Sequence, residues 1–273
     1  MDWFQGAGDQ GVMIGYACDE TKQLMPIPVV LANRIVRELS ACRQSSYIQE
    51  ILPDGKAQVT VEYENGKPVR LDSVVVSCQH TEDKNLKKLE AEIRKKVLLP
   101  ALRLLPPDED TKIFINPSGR FVCGGMDADT GLTGRKLMVD SYGSMVPHGG
   151  GAFSGKDCSK VDRSVAYMAR YIAKNIVAAR LASRCQVSLA YAIGVAQPVM
   201  VQVDTFGTGK VCADDCLELA IPLVFGLTPK QIVDSLRLTR PIFRQTAAFG
   251  HFGRKEFPWE RTDKVEALRN AVI

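Results

Sequence analysis

The sequence has 273 residues, of which 45% are apolar and 24% charged, as expected for a globular chain with one large domain or two modest ones. Its net charge of +4, from 35 basic and 31 acidic residues, lacks the basic excess that is typical of nucleic-acid-binding proteins. No apolar run reaches the ~20 residues that a membrane helix needs. Neither a nucleic acid nor a membrane is therefore an expected partner.

The N-terminus and the cysteines indicate the compartment. Met1-Asp2-Trp3-Phe4-Gln5 contains neither the basic nor the apolar part of an export signal, so a cytoplasmic location is expected. In a long chain without such a signal, the eight cysteines are expected to be buried or free thiols. Cys212 and Cys216 have no second cysteine pair near them, and the three histidines lack ligand spacing, so no zinc site is predicted.

The first half of the chain predicts a β-hairpin followed by a helix. Ala57–Tyr63 alternates apolar and polar residues, Asn65-Gly66 is a strong hairpin signal, and Val69–Ser77 resumes with β-branched residues. Asp83–Leu99 has apolar residues at helical spacing, and Pro100 is expected to end or kink this helix. A strand and a turn are expected next, at Lys112–Asn116 and Pro117-Ser118-Gly119.

In the second half, Ser159–Ser183 is the strongest predicted helix, roughly 37 Å long at ~1.5 Å per residue. The other predicted elements are a strand at Lys136–Asp140, strands at Gln186–Ile193 and Val199–Val203, and helices near Asp214–Phe225, Pro229–Leu238 and Thr262–Ala271, the last with Thr262 as a possible N-cap. Strand pairs with a covering helix occur in both halves, without regular β-α alternation. The predicted class is therefore α+β, in two domains, 1–123 and 124–273.

The strongest candidate for a polyphosphate site is Gly149–Asp157, called here the glycine-rich segment. Its G-x-x-x-x-G-K pattern, which ends at Lys156, has the spacing of a Walker A loop, whose amides and lysine bind phosphate oxygens. Asp157, however, stands where such a loop needs Ser or Thr, and no buried strand precedes it. An ordinary P-loop enzyme is therefore not favoured. A purely structural turn is the alternative, and the neighbouring Lys160 and Asp162 argue against it.

Three more loops combine acidic groups with basic or glycine residues. Arg135-Lys136 supplies a guanidinium fork and a point charge, the usual pair for a phosphate chain, and Asp129 lies just upstream. Asp54-Gly55-Lys56 offers a similar pairing, although alone it would be interpreted as a turn. Gly6-Ala7-Gly8-Asp9-Gln10-Gly11 surrounds an acid with glycines. Together the loops indicate a convergent nucleoside-triphosphate site.

Two of these segments resemble the signature sequences of methionine adenosyltransferases, also called S-adenosylmethionine synthetases: Gly6–Gly11 and the glycine-rich segment. Further similar stretches are Pro117–Phe121, Gly131–Lys136, Lys160–Ser164 and Gly250–Arg254. The resemblance implies repeated α+β domains with pseudo-threefold symmetry, in homodimers or homotetramers whose active sites are shared between subunits. It also implies attack of the methionine sulfur on the 5′ carbon of ATP, hydrolysis of the released triphosphate to phosphate and pyrophosphate, and Mg²⁺ and K⁺ as ions.

The same resemblance assigns roles to individual residues. ATP contacts are implied for Asp54, Gly55, Lys56, Arg120, Phe121, Asp129, Arg135, Lys136, Ala152 and Lys156, with the Phe121 ring stacking on adenine. Four of these, Lys56, Arg135, Lys136 and Lys156, are the implied catalytic residues. Methionine contacts are implied for Asp9, Asp129 and Lys160, and Asp162 is implied near Mg²⁺.

The chain departs from the family pattern at its start. It is similar to the central and C-terminal domains, whereas family members carry a further N-terminal segment with a His-Pro-Asp motif that contacts the leaving group and Mg²⁺. Three hypotheses follow: an enzyme completed by that segment from elsewhere, a non-catalytic partner of a longer homologue, and, remotely, an unrelated P-loop phosphotransferase.

Overall fold

The structure, a computed structural model, describes residues 6–272, so Met1-Asp2-Trp3-Phe4-Gln5 and the expectation based on it lie outside the described residues. The chain forms two compact units. The first contains the residues up to Pro26 and those from Thr133 onward, and the second contains Ile27–Leu132. Each holds one three-stranded sheet and several helices, as the predicted α+β class requires. The division at 123/124 and the pseudo-symmetry stay predictions.

The second unit is built on a long β-hairpin. Strands β2 (Ile51–Glu64) and β3 (Lys67–His80) pair antiparallel, and β4 (Lys112–Ile115) pairs parallel to β3. Asn65 and Gly66 form the two-residue turn, with φ values of 50° and 74°. Positive φ at both positions is the mark of a type I′ turn, which matches the twist of the strands and favours Asn-Gly, so the Asn-Gly signal identifies this hairpin correctly. The strand and hairpin predictions in this unit are confirmed.

Helix α1 (Ile27–Gln44) packs against β2 and closes the core of the second unit. It is absent from the predicted elements, although Ile27, Leu31, Ile35 and Leu39 recur every four residues and are all buried. Their spacing places them on one helix face, which is the pattern expected of an amphipathic helix. The signal for α1 is therefore present in the sequence.

The helix predicted over Asp83–Leu99 forms in three pieces: α2 (Leu86–Ile93), a π-helical turn (Arg94–Leu98) and a final turn, α3 (Leu99–Ala101). Pro100 has no N–H to donate to the Lys96 carbonyl, and that oxygen lies 3.9 Å from the Cys42 thiol instead. Leu99 donates five residues back, to Arg94, which is π-helical bonding. The helix ends one residue after Pro100, as predicted.

The first unit has an antiparallel sheet in the order β1-β5-β6, formed by β1 (Gly11–Cys18), β5 (Arg184–Tyr191) and β6 (Met200–Asp204). Helix α5 (Val161–Ala178) packs against β1 and β5. All but two of its residues are buried, so α5 is a central helix rather than one with a solvated face. The strands predicted at Gln186–Ile193 and Val199–Val203 are confirmed as β5 and β6, whereas β1 is absent from the predictions.

The remaining elements of this unit are short: α4 (Leu137–Asp140), α6 (Asp214–Val224), α7 (Pro229–Ser235), α8 (Val265–Ala271) and 3-10 turns at Phe243–Ala247 and Pro258–Glu260. The strand predicted at Lys136–Asp140 is wrong, because these residues form one helical turn and the Ser141 hydroxyl donates to the Leu137 carbonyl at 2.8 Å. The predictions of α6, α7 and α8 are confirmed.

Two predicted helix ends are corrected. The helix predicted to reach Ser183 ends at Ala178, because Arg180 adopts the left-handed conformation with φ 61° and terminates the chain of helical bonds. Thr262 does not cap α8: the cap position is occupied by Lys264, whose N–H donates to the Asn175 side-chain oxygen at 2.9 Å.

The described residues contain neither a disulfide nor a helix that could cross a membrane by itself. All eight cysteines carry free thiols. Only α6 and α7 taken together, with a bend of 75° between them, have the length and composition of a membrane span.

The contact between β1 and α5 depends on Gly15. A β-carbon at this position would lie 2.0 Å from the Ala169 carbonyl carbon and 2.2 Å from the Arg170 nitrogen, far inside van der Waals distance. Since neither backbone can move without shifting α5, Gly15→Ala is expected to lower the free energy of unfolding by about 3 kcal/mol in urea denaturation. Gly8→Ala is the matched control, because a β-carbon there meets no atom within 4 Å. Equal stability of the two variants would contradict this packing.

Candidate active site

The glycine-rich segment crosses the start of β1 and ends just before α5. A β-carbon at Gly149 would lie 1.6 Å from the Val12 carbonyl oxygen, and one at Gly151 would lie 2.2 Å from the Asp162 carboxylate. Both positions therefore need glycine, because the backbone approaches its neighbours too closely for any side chain. These contacts press the segment against β1 and the first turn of α5.

Two other glycines of the segment adopt left-handed backbone conformations, with φ 98° at Gly150 and 84° at Gly155. The Gly150 N–H donates to Nδ1 of His148 at 2.8 Å. Burial lowers the pKa of His148, and the nearby Asp162 carboxylate opposes this effect only in part. The imidazole is therefore suited to accept at Nδ1 and to hold the segment near its beginning.

Lys156 and Asp162 form the central ion pair of the site, with the ammonium 2.5 Å from Oδ2 of the carboxylate. Asp162 lies in the first turn of α5, where a negative charge interacts favourably with the helix dipole. The side chains remain 31% and 19% exposed, so a ligand can reach both charges. Among the described residues, no three His, Cys, Asp or Glu side chains are grouped so that they could hold a metal ion by themselves.

The stretch that carries Arg135 and Lys136 lies alongside the glycine-rich segment. A β-carbon at Gly134 would lie 2.8 Å from the Ala152 β-carbon, and one at Gly155 would lie 3.7 Å from the Thr133 methyl group. Arg135 and Lys136 are exposed, and within residues 6–272 neither forms an ion pair. The structure thus brings the glycine-rich segment, at Ala152 and Gly155, next to the stretch that carries Arg135 and Lys136.

Asp9 and Lys160 lie at the surface of the same unit. Ala7 donates to the Val195 carbonyl and accepts from Gly194, which attaches the Gly6–Gly11 loop to the end of β5. Asp9 is exposed, and its carboxylate accepts from the adjacent Gln10 N–H. Lys160, also exposed, occupies the N-cap position of α5. No hydrogen bond or ion pair within the described chain joins these two residues.

The remaining predicted residues belong to the second unit, and three of them, Asp54, Phe121 and Asp129, contact the Gly124-Gly125 turn. The Asp54 carboxylate accepts from the Gly125 N–H at 2.8 Å, and the Asp129 N–H donates to the Gly125 carbonyl at 3.0 Å. Gly124 packs closely against two side chains, because a β-carbon there would lie 2.7 Å from the Gln79 amide carbon and 3.0 Å from the Phe121 ring.

The other three predicted residues of this unit, Gly55, Lys56 and Arg120, differ in their surroundings. Gly55 and Lys56 follow Asp54 at an irregularity of β2, and the Lys56 side chain is exposed. The Arg120 guanidinium donates to the Glu82 carbonyl at 2.6 Å. Asp54, Phe121 and Asp129 are therefore brought together at the turn. The Arg120 guanidinium is instead hydrogen-bonded to the backbone at Glu82.

A buried aromatic cluster beneath the glycine-rich segment is missed by the sequence predictions. Phe153 is buried against His251, with ring centroids 5.0 Å apart, and the adjacent Ser154 hydroxyl lies 3.3 Å from the imidazole Nε2. Trp259 stacks on Tyr167 at 3.7 Å. The stretch Gly250–Arg254 resembles the family sequence. Because His251 lies 97 residues after Ser154, however, the sequence does not indicate that it contacts the glycine-rich segment.

Burial, with the positive charges of Arg163 and Arg254, lowers the pKa of His251 from 6.5 to about 3. Because the unfolded chain binds this proton near pH 6.5 and the folded chain only near pH 3, the free energy of unfolding falls as the pH decreases between these values. From pH 6.5 to 5 the expected loss is about 2 kcal/mol. His251→Gln removes the titrating group, so the parent should lose about 2 kcal/mol more than this variant in urea denaturation. The same pH dependence in both would contradict a buried neutral histidine.

Comparison with known proteins covers both halves of the chain. Residues 4–121 match the family described as S-adenosylmethionine synthetase, central domain, and residues 123–261 match S-adenosylmethionine synthetase, C-terminal domain. The S-adenosylmethionine synthase of a Nocardioides species is 56% identical over 272 residues, which cover 98% of this chain and 68% of the relative. That of Treponema denticola is also 56% identical, over 271 residues, 98% of this chain and 69% of the relative.

Proposed function

The chain belongs to the S-adenosylmethionine synthetase family of transferases, and we propose that its glycine-rich segment binds the triphosphate of ATP during S-adenosylmethionine formation. The observation that carries this proposal is the position of Lys156. Lys156 belongs to the segment, and its ammonium is paired with Asp162 in the first turn of α5. The stretch with Arg135 and Lys136 lies alongside the segment. Such a group of cations and backbone amides is suited to a polyphosphate.

The substrates of the proposed reaction are ATP and L-methionine. The methionine sulfur forms a bond with the 5′ carbon of ATP while the carbon–oxygen bond breaks, and that electron pair leaves with the triphosphate. Water then converts the triphosphate to phosphate and pyrophosphate. A thioether is a neutral nucleophile, so a positive charge develops on the sulfur as it becomes a sulfonium, and a matching negative charge develops on the leaving triphosphate. Preorganised cations aimed at that charge are expected to supply most of the rate enhancement.

The family resemblance supports a division of labour among the residues. Lys56, Arg135, Lys136 and Lys156 bind the triphosphate and stabilise it as it leaves. The nucleoside is assigned to Asp54, Gly55, Arg120, Phe121, Asp129 and Ala152, and methionine to Asp9, Asp129 and Lys160. The exposure of Arg135, Lys136 and Lys56 supports this division, because each charge is accessible to a ligand.

Mg²⁺ and K⁺ are proposed as the ions. Mg²⁺ in nucleotide sites is commonly held by one or two carboxylates together with phosphate oxygens and water. Asp162 fits such a site, since its carboxylate lies next to the proposed triphosphate-binding lysine. Bound Mg²⁺ would neutralise part of the triphosphate charge. The family resemblance also supports a cytoplasmic homodimer or homotetramer with active sites shared between subunits.

An assay of the purified protein tests the proposal against the non-catalytic partner hypothesis. The protein is incubated with ATP, methionine, Mg²⁺ and K⁺, and S-adenosylmethionine is quantified by mass spectrometry, alone and after mixing with a full-length relative. Turnover by the protein alone excludes a partner-only role. If the protein alone forms no product and only changes the activity of the relative, the partner hypothesis is correct instead.

A further inference from the structure

Beneath the glycine-rich segment lies a buried polar network that contacts the segment at two points. Its first contact is made by Arg163, which is only 3% exposed. The guanidinium donates to the Lys156 carbonyl at 2.6 Å, to the Thr246 hydroxyl at 2.9 Å and to the Tyr167 hydroxyl at 3.0 Å. It also lies 3.7 Å above the Phe243 ring. Three directed bonds and one ring contact leave this side chain a single position.

The second contact runs through His251, which is fully buried. Its Nδ1 lies 2.8 Å from the Tyr167 hydroxyl, and its Nε2 lies 3.3 Å from the Ser154 hydroxyl. Because the Tyr167 oxygen accepts from Arg163, its own proton can point to Nδ1, which leaves the imidazole proton on Nε2 facing Ser154. The Trp259 indole donates to the His251 backbone carbonyl at 2.9 Å and so holds the backbone at this residue.

We propose that Arg163, Tyr167 and His251 are positioning residues that hold the glycine-rich segment so that Lys156 meets the triphosphate. The inference rests on the function proposed above. The inference is supported by the two places where the network contacts the segment. Arg163 bonds the Lys156 backbone and His251 bonds the Ser154 side chain, and these residues lie on either side of Gly155. Gly155 itself has the left-handed conformation, and because a glycine backbone has more conformational freedom than other residues, bonds on both sides of it restrict the segment.

The Tyr167 hydroxyl is the shared element, because it bonds both Arg163 and His251. Tyr167→Phe removes this oxygen and keeps the ring that stacks on Trp259. Tyr171→Phe is the matched control: Tyr171 lies one turn further along α5, is also buried, and bonds Asp263 rather than any residue of the network. Both substitutions delete one buried hydroxyl from the same helix, so a general loss of packing affects them alike.

The experiment measures binding of inorganic tripolyphosphate by titration calorimetry, and kcat and methionine KM in the S-adenosylmethionine assay. Tyr167→Phe is expected to weaken tripolyphosphate binding and lower kcat by about 10–100-fold, the usual effect of removing a residue that orients a ligand-binding group. Its methionine KM should change little, and Tyr171→Phe should behave as the parent. If both variants lose thermal stability to a similar degree but bind tripolyphosphate like the parent, the positioning role is overturned.

Two further variants keep the outcomes distinct. If Tyr167→Phe fails to fold, Ser154→Ala removes the contact from the segment side and should weaken tripolyphosphate binding in the same direction; unchanged binding overturns the proposal. If Lys156→Ala abolishes tripolyphosphate binding while Tyr167→Phe does not affect it, only the positioning role is lost. If the parent itself does not bind tripolyphosphate, the proposed function fails and the positioning role with it.

Discussion

Lys156→Ala is expected to reduce the turnover of ATP and methionine by about 10²–10³-fold, the usual loss when one preorganised donor to a developing negative charge is removed. In the proposed reaction that charge appears on the departing triphosphate, so the loss should fall on kcat. Methionine binding should weaken far less, because Lys156 is assigned to the triphosphate and not to methionine. The measurements are kcat from S-adenosylmethionine formation and the methionine Kd from calorimetry.

Lys230→Ala is the matched control for this prediction. Lys230 also pairs with a carboxylate, that of Asp234 at 3.3 Å, but this pair lies on the exposed surface of α7. Removing it should leave kcat unchanged, because exposed ion pairs contribute little and neither residue is assigned to the proposed chemistry. Unchanged turnover in Lys156→Ala would refute the role of this lysine in binding the triphosphate.

Glu260→Ala is expected to cause the largest loss of stability, about 3–5 kcal/mol in the free energy of unfolding. Glu260 is fully buried and accepts from Arg170 at 2.8 Å, from Lys174 at 2.7 Å and from the Gly253 N–H at 2.7 Å. Without its carboxylate, two cations are left in the core with no negative partner. Urea denaturation of the variant measures the loss.

The control and the pH dependence sharpen this prediction. Glu266→Ala removes a carboxylate from a surface pair with Arg269 and should change stability by less than about 1 kcal/mol. Burial alone would raise the pKa of Glu260, but the charges of Arg170 and Lys174 outweigh it and hold the pKa below its usual 4.5. The stabilisation is therefore present above pH 4.5 and is lost as the pH falls below it. A Glu260→Ala variant as stable as Glu266→Ala would contradict a buried ion network.

The parts of the fold that the sequence predicts are those with local signals. The Asn65-Gly66 hairpin, the end of the helix at Pro100 and the helix α6 each depend on residues close together in the chain. Strand β1 pairs with β5 more than 160 residues away. Its apolar residues show no regular alternation, because residues 15–18 are buried on both faces of the strand, and no local pattern identifies its partner.

The candidate site shows the same division. Lys156 and Asp162 are six residues apart and can be recognised from the glycine pattern that surrounds them. The contact of Ser154 with His251 joins residues 97 positions apart, and the bond from Arg163 to Thr246 spans 83. Such contacts depend on the tertiary fold, so the sequence indicates the segment that would bind phosphate but not the network that holds it.

The central claim is that the glycine-rich segment serves adenosyl transfer rather than phosphoryl transfer, although its spacing resembles a Walker A loop. Analysis of all products formed from ATP and methionine tests this claim most directly. Adenosyl transfer should yield S-adenosylmethionine, phosphate and pyrophosphate in equal amounts, with no ADP. Consumption of ATP with release of ADP and no S-adenosylmethionine would contradict the account.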